Sequence, residues 1–207
     1  MYPKKVRFLL YDARHGQCDN GEVSMASLVS PNNVRARWAY SELLSLSHGD
    51  RYEGPGIPEL KEKASQSVPF DDLTPFERKL LVEQLALVRT DHLLQALEGI
   101  NWFQLETWTK QQLAEVYVAP YFVCDICTTF SWVTFKRWIE ADPIKPLHQW
   151  HARFATYAVA PSEQGEPLTV GRYPDHPQFI LLDGYHRAVR FWSMNEPTAK
   201  LAVYVPV

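Results

Sequence analysis

The chain has 207 residues, of which 46% are hydrophobic and 13% aromatic, and its formal net charge is -3 at pH 7. A chain of this length can bury a substantial core, and its composition excludes a disordered protein. The negative charge lacks the global positive field that non-specific DNA binding uses, so any nucleic-acid contact requires a local basic patch.

The N-terminal sequence MYPKKVRFLLYDARHG contains an apolar run that is too short for the hydrophobic region of a secretory signal. Nothing in the sequence approaches the roughly 18 uninterrupted apolar residues of a membrane-spanning helix. We therefore expect a cytoplasmic protein that has no membrane partner.

The cysteines are Cys18, Cys124 and Cys127, and the last two form a CxxC pair, CDIC. A structural zinc site needs two further ligands, and His15 and Cys18 are distant candidates. We therefore interpret the cysteines as reduced, structural thiols and predict no metal-ligating residues.

The first part of the chain is predicted to alternate between strands and loops. Val6 to Tyr11 is predicted as a strand, and Glu22 to Pro31 as a second strand that the proline ends. A short helix follows, with Ser41 as its cap and Gly49 as its terminator. The glycines and prolines of RYEGPGIP, residues 51–58, predict a loop.

The clearest predicted helix runs from Pro75 to Glu98. Thr74 and Glu77 form a capping box, the proline occupies the favoured first position, and Gly99 closes the helix. Its leucines and valines give an apolar face, which we interpret as core.

Further helices are predicted in the middle of the chain. One starts at Thr109, where Gln112 completes a second capping box, and ends before Pro120. Strand and helix compete over residues 121–143, which are rich in aromatic and β-branched residues, and we favour a helix from Ser131 to Glu140. Since these helices carry no polar cluster, we expect an architectural or partner-binding role.

From residue 154 onward the pattern changes to strands. FATYAVA and EPLTVGRY are predicted as strands, Pro174 to Pro177 as a turn, QFILLD as a buried strand, Tyr185 to Asn195 as a helix, and AKLAVYVPV as a final strand. The fold class predicted for the chain is therefore mixed, α+β.

A cluster of polar residues lies where the QFILLD strand meets the helix that follows it. A strand that ends in Asp183-Gly184 and turns directly into a helix exposes the first N–H groups of that helix and the positive end of its dipole. Gly184 lets the backbone approach a ligand closely, and His186 and Arg187 in the first turn can bind phosphate oxygens. These residues predict an anion site.

Several roles remain open for these residues. Asp183 can cap the helix, orient Arg187 or His186, or hold a metal-bound nucleotide. In the alternative interpretation Asp183 is only a cap, His186 is a surface histidine, and Arg187 and Arg190 are solvated. We expect Arg187 to be exposed, so that its removal hardly changes stability.

Three pieces of the sequence resemble the ParB/sulfiredoxin superfamily. They are VSMASLVSPNNVRAR at residues 23–37, GEPLTV at 165–170, and LLDGYHRAVRF at 181–191. The resemblance implies a small mixed α/β core made of residues 1–54 and 151–207, with residues 55–150 as an inserted helical subdomain packed on one side. It also implies nucleotide binding with ATP or CTP and Mg²⁺.

The resemblance further implies roles for single residues. His186 and Arg187 would contact nucleotide phosphates, Asp183 and Gly184 would shape the loop, and Arg35 or Arg37 would approach from the upstream segment. Glu166, like Glu163, flanks the turn at GEP and is a candidate general base or metal ligand, or else a solvated loop acid. Asp183, Glu166 and His186 are thus the candidate catalytic residues.

Members of this superfamily carry out CTP-dependent DNA partitioning, ATP-driven phosphoryl transfer and nuclease reactions. Here no cysteine lies in a basic, phosphate-facing motif, and we expect no helix-turn-helix after the nucleotide module. The sequence therefore favours a phosphotransferase or nucleotide hydrolase. The alternatives are a nucleic-acid-cleaving enzyme or toxin-like effector, and a non-enzymatic nucleotide-gated module whose helical insertion binds a protein partner.

Overall fold

The computed structural model describes residues 10–11, 18–19, 28–45, 48–89, 92–118, 133–140, 166–173, 176–193 and 199–207. The strands in these ranges are β1 (Leu10–Tyr11), β2 (Cys18–Asp19), β3 (Leu28–Val29), β4 (Phe103–Trp108), β5 (Tyr117–Val118), β6 (Val133–Thr134), β7 (Leu168–Gly171), β8 (Ile180–Asp183) and β9 (Leu201–Pro206). The α-helices are α1 (Pro31–Glu42), α2 (Ile57–Ser65), α3 (Pro75–Val88), α4 (Lys110–Ala114), α5 (Phe135–Ile139) and α6 (Tyr185–Ser193).

Seven of these strands form one mixed sheet in the order β3-β4-β9-β7-β8-β5-β6, and β1 pairs with β2 separately. The pairs β9 with β7 and β8 with β5 are parallel, and the other neighbours are antiparallel. The α+β class predicted from the sequence is confirmed.

The interval 55–150 is not purely helical, which corrects the prediction of a helical insertion. It supplies β4, β5 and β6 to the same sheet as β3 and β9. Strand β4 lies between β3 and β9 and pairs with β9 along six residues. Phe103 and Trp108 at its ends are buried, whereas Leu105 is exposed, so β4 lacks the strict alternation of buried and exposed positions that predicts a strand.

Helices cover the two faces of the sheet and form two cores. One core joins residues of α1, α2 and α3 to sheet residues that include Ile180, Leu182 and Tyr204. The other joins residues of α4, α5 and α6 to sheet residues that include Leu181 and Val203. Neighbouring residues of a strand point to opposite faces, so the alternation along β8 and β9 places the sheet between two helical layers.

Helix α1 begins earlier than the sequence analysis predicted. Ser30 is its N-cap, with the hydroxyl oxygen accepting a hydrogen bond from the Asn33 N–H at 3.3 Å, and Pro31 occupies the first position. Ser41, which we predicted as the cap, lies in the last turn and donates to the Trp38 carbonyl. Pro31 therefore begins α1 and does not end a strand as predicted, because a proline after a capping serine fits the first position of a helix.

The two predicted capping boxes are both present. The Thr74 hydroxyl accepts from the Glu77 N–H, and Thr109 does the same with Gln112. Helix α3, however, ends at Val88 rather than at Glu98, and a 3-10 helix, His92–Leu97, follows it.

The later predicted elements agree in kind with the structure and differ in their ends. The predicted strands EPLTVGRY, QFILLD and AKLAVYVPV contain β7, β8 and β9, and the described part of the predicted helix from Tyr185 is α6. Within the predicted helix from Ser131 to Glu140, the described part starts with strand β6 before α5.

Several predictions fall outside the described residues, namely the strand over FATYAVA, the CDIC pair and Glu163. Among the helices that the structure describes, none has the length and apolar character needed to span a membrane.

Candidate functional site

The predicted anion site lies at the junction of β8 and α6. Gly184 connects the two elements with φ +91°, a left-handed conformation that a side chain rarely adopts. A Cβ atom there would lie 2.3 Å from Leu168 Cδ2 and 2.8 Å from Arg187 Nη2. Glycine is therefore required for two reasons, the backbone conformation and the close approach of the Arg187 guanidinium.

Arg187 is buried, which contradicts the expectation that it is exposed. Its side chain is 8% exposed, and Nη2 donates to Asp183 Oδ2 at 2.9 Å and to the Pro167 carbonyl at 3.3 Å. The pair is spaced four residues apart, so the first turn of α6 brings the guanidinium back over the end of β8. Removing one partner of a buried ion pair is strongly destabilising, so Arg187 contributes to stability as well as to the site.

Asp183 connects α6 to α1. Its Oδ2 atom lies 3.3 Å from the Ser41 hydroxyl oxygen, in addition to its contact with Arg187. Burial raises the pKa of Asp183, the Arg187 charge opposes this, and the charge of Glu42 adds to the rise. Of the roles left open for Asp183, the structure shows the one that orients Arg187.

His186 lies in the first turn of α6 and is partly buried. Burial lowers the pKa of the imidazole, Asp183 opposes this, and the positive charge of Arg187 lowers it further. The imidazole is therefore mainly neutral near pH 7, and a neutral imidazole has one nitrogen that donates and one that accepts a hydrogen bond.

Arg37 of α1 reaches the segment that precedes β7. Its Nη1 donates to both carboxylate oxygens of Glu166, at 3.2 and 3.0 Å, and its Nη2 forms an ion pair with Asp71. Its Nε donates to Asn33, and the guanidinium lies over the Phe70 ring. Because Arg37 is engaged by these partners, it holds the Glu166 segment against α1, and a phosphate would have to compete with Glu166 or Asp71 for it.

Arg35 lies on a different face of α1, since residues two apart on a helix point in nearly opposite directions. Its side chain is partly buried, and Nε has no hydrogen-bond partner among the described atoms. Within the described part of the chain, no hydrogen bond brings Arg35 to the β8–α6 junction.

A buried polar cluster that the sequence analysis missed lies beside Asp183. The Glu42 carboxylate forms an ion pair with Arg89 and accepts hydrogen bonds from Trp38 Nε1 at 2.9 Å and the Tyr52 hydroxyl at 2.8 Å. The side chains of Glu42 and Arg89 are 7% and 8% exposed. The i, i+4 spacing of Trp38 and Glu42 would have indicated their contact if the helix had been predicted from residue 31.

The three motif blocks of the sequence analysis come together in the fold. Ser41 of α1 contacts Asp183, and Arg37 of the same helix contacts Glu166. Arg187 contacts the carbonyl of Pro167, which follows Glu166. These contacts span 142, 129 and 20 residues of sequence. They bring α1 into contact with the segments around Glu166 and Asp183.

A magnesium ion is the metal that the resemblance implies. Within the described ranges, no three His, Cys, Asp or Glu side chains are grouped so that they could hold a metal ion. Mg²⁺ bound to a nucleotide needs no such group, since phosphates, waters and one or two carboxylates suffice. Glu166 and Asp183 are suitable carboxylates, although each would have to be shared with the arginine that contacts it.

Comparisons of the chain with protein-family models, curated proteins and solved structures gave no match. The resemblance to the ParB/sulfiredoxin superfamily therefore rests on the three motif blocks of the sequence alone.

Proposed function

We propose that this chain binds a nucleotide through its phosphates at the β8–α6 junction and acts as a phosphotransferase or nucleotide hydrolase. The ligand would be ATP or CTP with Mg²⁺. The observation that carries this proposal is a set of three contacts. Arg37 of the first block contacts Glu166 of GEPLTV, and Arg187 of DGYHR contacts Pro167 of GEPLTV. Ser41, one turn after Arg37 in α1, contacts Asp183 of DGYHR.

The start of α6 supplies the donors that a phosphate needs. The Ala188 N–H donates to the Gly184 carbonyl, so the N–H groups of the three residues before it belong to the first turn, where a helix leaves its donors without intrahelical acceptors. The positive end of the helix dipole and the guanidinium of Arg187 add to the attraction for an anion. The His186 imidazole, in the same turn, adds a further donor.

Phosphoryl transfer depends mainly on positioning and on neutralising charge as it develops. Arg187 and the first turn of α6 would supply that charge. His186 is the best candidate for a general base, because its lowered pKa keeps the imidazole neutral and able to accept a proton. Asp183 and Glu166 would then position the arginines rather than take up the proton of the attacking group.

Thermal unfolding with each of the four ribonucleotides at millimolar concentration, with and without Mg²⁺, tests the proposal. A ligand at about 100 times its dissociation constant adds about 2.7 kcal/mol of stability. At about 2–4 °C per kcal/mol for a chain of this size, Tm should rise by about 5–10 °C. The absence of a shift with all four nucleotides would refute nucleotide binding.

Two variants of α6 locate the site. His186→Ala removes a hydrogen bond of about 0.5–1.5 kcal/mol and should weaken nucleotide binding about twofold to tenfold in a calorimetric titration. The matched control is Arg190→Ala, because Arg190 is exposed on the same helix and lies one turn away from His186. Equal losses of affinity in both variants would place the ligand elsewhere.

Product analysis then distinguishes the kinds of activity. Release of nucleoside diphosphate or transfer of phosphate supports the proposed enzyme. Turnover that depends on DNA or RNA supports a nucleic-acid-cleaving enzyme instead, and binding without turnover supports a nucleotide-gated module that binds a protein partner.

A further inference from the structure

Two buried ion pairs lie side by side behind the proposed phosphate site. One joins Asp183 to Arg187, and the other joins Glu42 to Arg89. Ser41 connects them, because it is the neighbour of Glu42 in α1 and its hydroxyl contacts Asp183. The formal charges of the two carboxylates and the two guanidinium groups cancel, so the cluster is neutral before any ligand binds.

A phosphate that binds Arg187 disturbs this balance. The Nη2 atom of Arg187 already donates to Asp183 Oδ2 at 2.9 Å, so a phosphate oxygen on the same edge of the guanidinium would lie next to the Asp183 carboxylate. Two like charges in such a buried place repel each other strongly, and the repulsion falls when the carboxylate takes up a proton. The extra negative charge thus favours a neutral Asp183.

Ser41 is placed to accept a hydrogen bond from a protonated Asp183. Its hydroxyl oxygen lies 2.8 Å from the Trp38 carbonyl and 3.3 Å from Asp183 Oδ2. A hydroxyl has one hydrogen, which the shorter contact to Trp38 can take, and its oxygen can then accept the hydrogen of a protonated carboxyl. The neutral form of Asp183 therefore has a partner within the fold.

We propose that binding of phosphate at Arg187 is coupled to the uptake of one proton from solvent by the Asp183 carboxylate. The proposal rests on the nucleotide site proposed above and adds its regulation by pH, with binding strongest at the acidic end of the stable range. Burial also raises the pKa of Asp183 before any ligand binds, which reduces the cost of protonation. Among the residues that the structure describes, the ionisable groups around Asp183 are Glu42, Tyr52, Arg89, His186 and Arg187.

Calorimetric titration with MgATP and MgCTP at pH 7 and pH 8, in buffers with different ionisation enthalpies, counts the protons taken up. Asp183→Asn removes the acceptor of the proton and keeps the size of the side chain and an oxygen for Arg187. The wild type should take up about one proton more than this variant. The Kd of the wild type for the nucleotide should rise about tenfold per pH unit, whereas the Kd of Asp183→Asn should rise less than about threefold. The control is Glu59→Gln on the exposed face of α2, which should match the wild type.

Equal proton numbers and parallel pH dependences in the wild type and Asp183→Asn would overturn the coupling while leaving the nucleotide site intact. Failure of folded wild type to bind either nucleotide would overturn the site and the coupling together. Ser41→Ala is a second test that keeps the ion pair. This substitution removes the hydroxyl that accepts the hydrogen of protonated Asp183. The rise in Kd between pH 7 and pH 8 should then be at least twofold smaller than in the wild type. An unchanged rise counts against the proposal.

Discussion

Arg89 should be one of the residues on which the stability of the fold depends most. In Arg89→Met, the apolar side chain keeps the packing over Trp38 but removes the donors from Nε and Nη2 to Glu42. The Glu42 carboxylate then remains buried with hydrogen bonds from Trp38 and Tyr52 and without a positive partner. An uncompensated buried charge of this kind costs about 3–5 kcal/mol.

Urea denaturation followed by tryptophan fluorescence measures this loss of unfolding free energy. In thermal unfolding, Tm should fall by about 6–20 °C, at about 2–4 °C per kcal/mol. The control is Lys79→Met in the exposed Lys79–Glu83 pair of α3, where the side chains are 76% and 59% exposed and the charged atoms 3.7 Å apart. This pair should contribute less than about 1 kcal/mol.

The double variant Glu42→Gln/Arg89→Met tests the cause. When the carboxylate is neutral, the loss of Arg89 should cost less than in Arg89→Met alone, because no buried charge is left without a partner. The reasoning is refuted if Arg89→Met costs no more than Lys79→Met, or if the double variant loses the full sum of the two single changes.

Two more predictions concern stability. Gly184→Ala should lower the free energy of unfolding by about 2–4 kcal/mol in urea denaturation, because of backbone strain and contact with Leu168. The control Gly99→Ala, at φ +73° with open space around it, should lower it by about 1–2 kcal/mol. Equal costs would contradict the packing argument. Burial raises the pKa of Glu77, but hydrogen bonds from Lys63 and Thr74 lower it below its usual 4.5, so its stabilising effect is present above that pH and lost as the pH falls further. Glu77→Gln should therefore be less stable than the wild type by up to about 1 kcal/mol at pH 7, and the difference should shrink as the pH falls below 4.5. A difference that stays constant with pH would contradict the ion-pair argument.

The local signals of the sequence were enough for several elements. The capping boxes at Thr74 and Thr109 lie within four residues of chain, so they form wherever the helix begins. The strands β7, β8 and β9 follow from short apolar runs, and the turn at Gly184 follows from Asp-Gly before a helix. The composition of the candidate site could thus be read from the sequence.

Burial and partner choice could not be read in this way. An arginine in the first turn of a helix is usually exposed, and Arg187 is buried because Pro167 and Asp183 both reach it across the end of β8. Arg37, predicted as a phosphate contact, is held by Glu166 at a distance of 129 residues in sequence. The ion pair between Glu42 and Arg89 spans 47 residues and carries no local signal at all.

The sequence by itself therefore determined which residues stand at the β8–α6 junction and which elements flank it, since turns, caps and short strands depend on neighbours a few positions away. The tertiary structure decided what those residues do. It joined 55–150 to the sheet through β4, and it filled the surroundings of Asp183 with Ser41 and the Glu42–Arg89 pair. The physical reason is that a buried charge is stable only beside a partner, and the chain brings that partner from far away in sequence.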